Sequence, residues 1–158
     1  VKQKIAVREI ENFEHASKAR DSGYLIEAVI ISDGMLDRSL ELLLMNELEK
    51  IVGDPEKSFR AFTLFSEEFS LDGRKIARLL KRSGRINGSL FKRIDNFKTK
   101  RGAAAHSTYW KVYGGDNDED ILSSGIVFGK KKKWLSKPEL SELFDEGKSL
   151  VREIEKLG

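Results

Sequence analysis

Apolar residues recur along this chain at spacings of three and four, the period of helices packed on one side. Lys2 to Arg20 carries Ile5, Ile10, Phe13 and Ala16 among charges and predicts a first amphipathic helix, which Asp21-Ser22-Gly23 breaks. Tyr24 to Val52 predicts the longest helix. Its wide apolar face (Leu25, Val29, Leu36, Leu40, Leu43, Leu44) places it centrally. Gly53-Asp54-Pro55 is a turn, with Pro55 set to open the next helix. Phe59, Phe62, Phe65 and Phe69 follow at spacings of three, three and four, an aromatic stripe that reads as core. Asp72 can cap a short helix through Leu80, ended by Ser83-Gly84. Asn87 or Ser89 then starts a helix through Leu90, Phe91, Ile94 and Phe97 towards Arg101. Tyr109 to Tyr113 and Ile126 to Phe128 are β-prone, which predicts a small hairpin or irregular insertion near residues 109–129. Pro138 opens a last helix through Leu140, Leu143, Phe144, Leu150, Val151, Ile154 and Leu157. The expected fold is all-α: an antiparallel bundle of four main helices plus one or two short ones, with residues 1–158 forming a single domain.

Composition narrows the function without choosing it. Apolar residues make up 39% and charged residues 35% of 158, too apolar and too periodic for a disordered chain. A net charge of +3 permits a nucleic-acid partner without demanding one. Cysteine is absent, so there are no disulfides, which fits a reducing cytosol. The longest apolar runs, Ala28–Ile31 and Leu42–Met45, are far too short to span a membrane, and the first residues lack a signal-peptide core. The expectation is a cytoplasmic protein with no membrane partner.

The densest candidate chemistry is the run Lys98-Thr-Lys-Arg-Gly-Ala-Ala-Ala-His106-Ser. On a helical wheel Leu90, Ile94, Phe97 and Arg101 fall within a sector of about 60°. Arg101 therefore continues an apolar stripe and should face a carboxylate, a subunit interface or a bound phosphate. His106 lies about 140° round from it on an unbroken helix. For the two to converge, either the helix loosens after Gly102 or two copies bring their pairs together. Cleavage of RNA by its own 2′-hydroxyl needs a base, an acid and positive charge on the phosphorane. A histidine titrating near neutral pH and an arginine fork supply these with no metal and no cofactor. The plainer reading is that Arg101 pairs with an acid from the long helix while His106 caps a helix end.

At these residues the chain resembles the HEPN superfamily (higher eukaryote and prokaryote nucleotide-binding domains). The likeness rests on Arg-x4-His near the end of a late helix, preceded by Phe97-Lys-Thr-Lys, and more loosely on Tyr24–Val52 and Leu71–Gly84. It implies an all-α bundle that dimerises around the motif. It further implies a metal-independent endoribonuclease of the toxin–antitoxin or defence type, with RNA as substrate. A cognate antitoxin or a nucleotidyltransferase would be its protein partner. Arg101 would then hold the scissile phosphate and His106 act as base or acid. Gly102 departs from the polar Asn frequent after the motif arginine. Thr108 stands where one subgroup, paired with nucleotidyltransferases, carries a tyrosine. Some members bind nucleic acid or a partner without cutting, and that is the alternative function.

Arg93, Lys98 and Lys100 add positive charge to the motif helix and are the candidate substrate-binding residues. Asp33, Asp37 and Glu41 form an i, i+4 row of like charges that repel unless cations sit opposite. Asp33 is a candidate for orienting Arg101, as is Glu27 with its apolar neighbours; a solvated acidic face is the other reading. Lys130–Lys133 with Trp134 could bind phosphate and stack on a base, or simply be a solvated loop. Asp116–Asp120 fails as a calcium loop, because Ile121 replaces the required glycine. His15 reads as surface. No metal-ligand spacing and no serine or cysteine nucleophile motif is present.

Overall fold

In a computed structural model, residues 13–113 and 135–158 are described; side chains of 106–113 are not. Every regular element among the described residues is a helix, with no strand among them. Residues 13–21 form α1, followed by α2 (Leu25–Val52), α3 (Pro55–Phe69), α4 (Gly73–Arg82), α5 (Gly88–Tyr113) and α6 (Lys137–Glu155). No described helix is long and apolar enough to cross a membrane.

Local chemistry explains most of the boundaries. Gly23 and Gly53 adopt the left-handed conformation at φ 87° and 73°, where a side chain would be strained, and so end α1 and α2. The Asp54 carboxylate accepts from the backbone N–H groups of Glu56 and Lys57, with Pro55 opening α3. Asp72 accepts from Lys75 N at the start of α4, and Asn87 accepts from Leu90 N at the start of α5. Ser136 and Glu139 form a reciprocal capping box around Pro138, so α6 begins at Lys137.

Ala16 and Ala19 of α1, the α2 row from Ala28 to Leu43, Ile76, Ala77 and Leu80 of α4, Leu90, Ile94 and Phe97 of α5 and Leu143 to Ile154 of α6 form one buried cluster. Chain directions follow from residue pairs. Asp33 meets Arg101 while Asp37 meets Lys98, so α2 and α5 are antiparallel. A Cβ on Gly147 would come 2.7 Å from Ser32 Oγ, while Gly158 lies near Asn46, so α2 and α6 run parallel. Gly147 allows this approach: the same Cβ would stand 2.8 Å from the Phe97 ring, and the three helices meet there.

Two expectations are corrected. The phenylalanine stripe of α3 is not core: Phe59, Phe65 and Phe69 are 56%, 49% and 54% exposed, and Ser58 is the one buried residue of the helix. A helical period identifies the side that prefers apolar surroundings, but α3 is a hairpin partner of α2 whose phenylalanine face no other described helix covers. The β-prone run Tyr109–Tyr113 is helical, because α5 continues through Ala103–Ala105 without a break. The rest of the expected insertion, residues 114–129, lies outside the described residues.

Candidate functional site

The site grows from two facing rows. Asp33 and Asp37 stand one turn apart on α2; Lys98 and Arg101 stand one turn apart on α5. Lys98, only 10% exposed, bridges both acids: its Nζ is 2.5 Å from Asp33 Oδ1 and also donates to Asp37 Oδ1. The second oxygen of Asp33 lies 2.8 Å from Arg101 Nε, an ion pair whose N–H is not aligned for a hydrogen bond. Like charges on α2 are thus each offset by a cation opposite.

Burial differs across the cluster. Asp33 is 5% exposed. Burial pushes the Asp37 carboxyl above its ordinary value; Lys98 and Arg101 pull it down and Asp33 pushes it further up, with the net effect upward. The start of α4 closes one side. A Cβ at Gly73 would overlap Asp37 Oδ1 and come 3.0 Å from Lys98 Cε, so a side chain there would force the Asp37 carboxylate to shift. Arg101 keeps 37% of its side chain exposed and pairs with no other carboxylate among the described residues. Its guanidinium is therefore oriented from below by a buried acid and open above, a geometry that suits a bidentate phosphate contact.

The structure brings Asp33, Lys98 and Arg101 together. It does not bring Arg93 to them. Arg93 turns towards α6, with Nε 2.9 Å from Glu146 Oε1 and Nη1 2.6 Å from Glu153 Oε2. These two carboxylates, Glu146 foremost, hold its guanidinium proton more firmly than usual. Lys100 and Glu27 are exposed, Glu27 in the first turn of α2. Position 106 lies on the continuous α5 backbone, about 140° round and about 7.5 Å along the axis from position 101; its side chain lies outside the described residues. So do Asp116–Asp120 and Lys130–Trp134. His15 is exposed.

Two features escaped the sequence reading. Lys98 is the buried centre of the ion cluster rather than a surface cation, which the facing Asp33–Asp37 row could have signalled. Helix α4 carries five cations, Arg74, Lys75, Arg78, Lys81 and Arg82, and no acid in its ten residues. That imbalance is visible in the sequence. Among the described residues no group of acids, histidines or cysteines is arranged to hold a metal ion. Comparison with protein-family models, curated protein sequences and solved structures found no match.

Proposed function

We propose that this all-α chain is a metal-independent endoribonuclease of the HEPN type, acting as a homodimer. The observation that carries the proposal is Arg101: a guanidinium on the motif helix, held by the buried Asp33 and open to solvent. In the proposed reaction the ribose 2′-oxygen attacks phosphorus, the bond to the 5′-oxygen breaks, and a 2′,3′-cyclic phosphate forms. Arg101 stabilises the phosphorane charge. His106 takes the 2′-hydroxyl proton and hands a proton to the leaving 5′-oxygen. Because α5 is continuous through Tyr113, positions 101 and 106 of one chain lie about 140° apart around its axis. A two-fold pairing of motif helices supplies the missing convergence, and Ala103, small and exposed on α5, permits close approach.

Incubation of end-labelled mixed RNA with the protein in EDTA tests this. Wild type should leave cyclic phosphate ends, while Arg101→Ala and His106→Ala should not. Cleavage that survives either substitution would sink the role assigned to that residue. A second reading, a non-catalytic nucleic-acid- or partner-binding module, is favoured by charge balance: two carboxylates offset two cations, so the cluster needs no ligand to be stable. It predicts RNA retention without cleavage and no effect of His106→Ala.

A further inference from the structure

Helix α4 holds its five cations on one side. On a helical wheel Arg74, Lys75, Arg78, Lys81 and Arg82 occupy a sector of about 120°, and Ile76, Ala77 and Leu80 opposite are buried to 1% or less. Three of the five have work inside the fold. Arg74 Nε lies 3.2 Å from Asp95 and its Nη2 donates to Thr99 at 2.7 Å. Lys75 Nζ donates to the carbonyls of Phe69 and Ser70 at the end of α3. Lys81 sits 4.8 Å above the Phe91 ring. Arg78 and Arg82 are exposed and form no ion pair with any described carboxylate. They stand four residues apart with Lys81 beside them, a spacing at which like charges repel unless an anion lies across them.

We infer that this ridge binds the phosphates of a single RNA strand and leads it to Arg101. That choice of ligand rests on the function proposed above. Three observations direct it. First, the ridge begins at the site: Gly73 packs on Asp37 and Lys98, and Arg74 packs on Thr99, two residues before Arg101. Second, from Arg74 to Arg82 the helix rises about 12 Å, long enough for a strand to lay more than one phosphate along it. Third, the apolar face of α4 is already buried in the core, so the helix cannot lay that face on a lipid surface as a basic amphipathic helix would. Glu67 and Glu68 stand exposed near the end of α3, on the Lys75 side. The strand's path therefore runs towards Arg78 and Arg82.

The test is binding rather than cleavage, so it does not depend on catalysis. A fluorescent 2′-O-methyl RNA oligonucleotide, which lacks the attacking hydroxyl, is titrated with the full chain across a salt series. The Arg78→Ala/Arg82→Ala variant should bind more weakly, and its log-affinity against log-salt slope should be shallower by about 1.4, two contacts at about 0.7 each. Arg78→Lys/Arg82→Lys should keep the wild-type slope. Lys57→Ala/Arg60→Ala on α3 changes net charge equally and should also leave the slope unchanged. An α4 alanine variant with the wild-type slope overturns the inference. So does failure of wild type to bind the oligonucleotide, including the case where it binds phosphatidylserine vesicles through the same arginines. If binding behaves as expected but natural RNA is never cut, the ridge stands and the ribonuclease reading falls.

Discussion

Replacing Asp33 by asparagine removes a buried charge from between Lys98 and Arg101 and keeps the shape of the side chain. Breaking a buried ion pair from one side costs about 3–5 kcal/mol, most of it from the stranded partner. Here the loss is smaller, because Lys98, 10% exposed, retains Asp37. Arg101, 37% exposed, regains water, and a pair of that exposure is worth at most about 1 kcal/mol. The net expectation is a loss of about 2–3 kcal/mol, or roughly 5–10 °C in Tm for a chain of this size. Urea denaturation followed by far-UV circular dichroism measures it. A double-mutant cycle with Lys98→Met sharpens the test. Removing both partners leaves no buried cation unpaired at Asp33, so the double variant should lose less than the sum of the two single losses. A single-variant loss below about 1 kcal/mol, or strict additivity, would refute the view that Asp33 is the buried anchor of the cluster.

Two glycines within helices should respond oppositely to an added methyl group. Gly147→Ala puts a Cβ 2.7 Å from Ser32 Oγ and 2.8 Å from Phe97, and should cost about 1–3 kcal/mol in urea midpoint analysis. Gly102→Ala meets nothing within 4 Å in mid-helix and should stabilise by up to about 1 kcal/mol. Phe59→Ala should cost far less than Phe97→Ala, whose fully buried ring is worth about 3–5 kcal/mol; equal losses would mean that α3 is packed as core after all. Asp37 has a carboxyl held above its ordinary 3.8, so the native state binds that proton more tightly than the unfolded chain. Its stabilising effect grows as pH falls through the window just above 3.8 and disappears as pH rises out of it. Wild type should therefore gain on Asp37→Asn as pH is lowered from neutrality through that window, and an unchanged difference would contradict the assignment.

Helix ends were the most readable part of this chain, since Asp54, Asp72, Asn87 and Gly53 act within a few residues of themselves. The central place of α2 was readable from the width of its apolar face. Burial of α3 was not, because periodicity marks the side that wants cover and says nothing about whether another helix arrives to cover it. Asp33 was accessible to reasoning because a row of like charges demands cations opposite. The bridging role of Lys98 needed the register between α2 and α5, which no local pattern encodes. Gly73 and Gly147 carry no local signal; their value lies in contacts with residues dozens of positions away. The continuation of α5 through Tyr113 overrode β-prone residues whose preference is weak beside an uninterrupted helix.

Cleavage by mixed variants tests the proposed function most directly. Arg101→Ala and His106→Ala chains, each inactive alone, are unfolded together, refolded and incubated with RNA in EDTA. If one copy's Arg101 works with the other copy's His106, mixed dimers carry one intact site, and statistical pairing should restore roughly a quarter of the wild-type rate. No recovery beside an active wild type would contradict a site shared between copies, and an inactive wild type would contradict the ribonuclease itself.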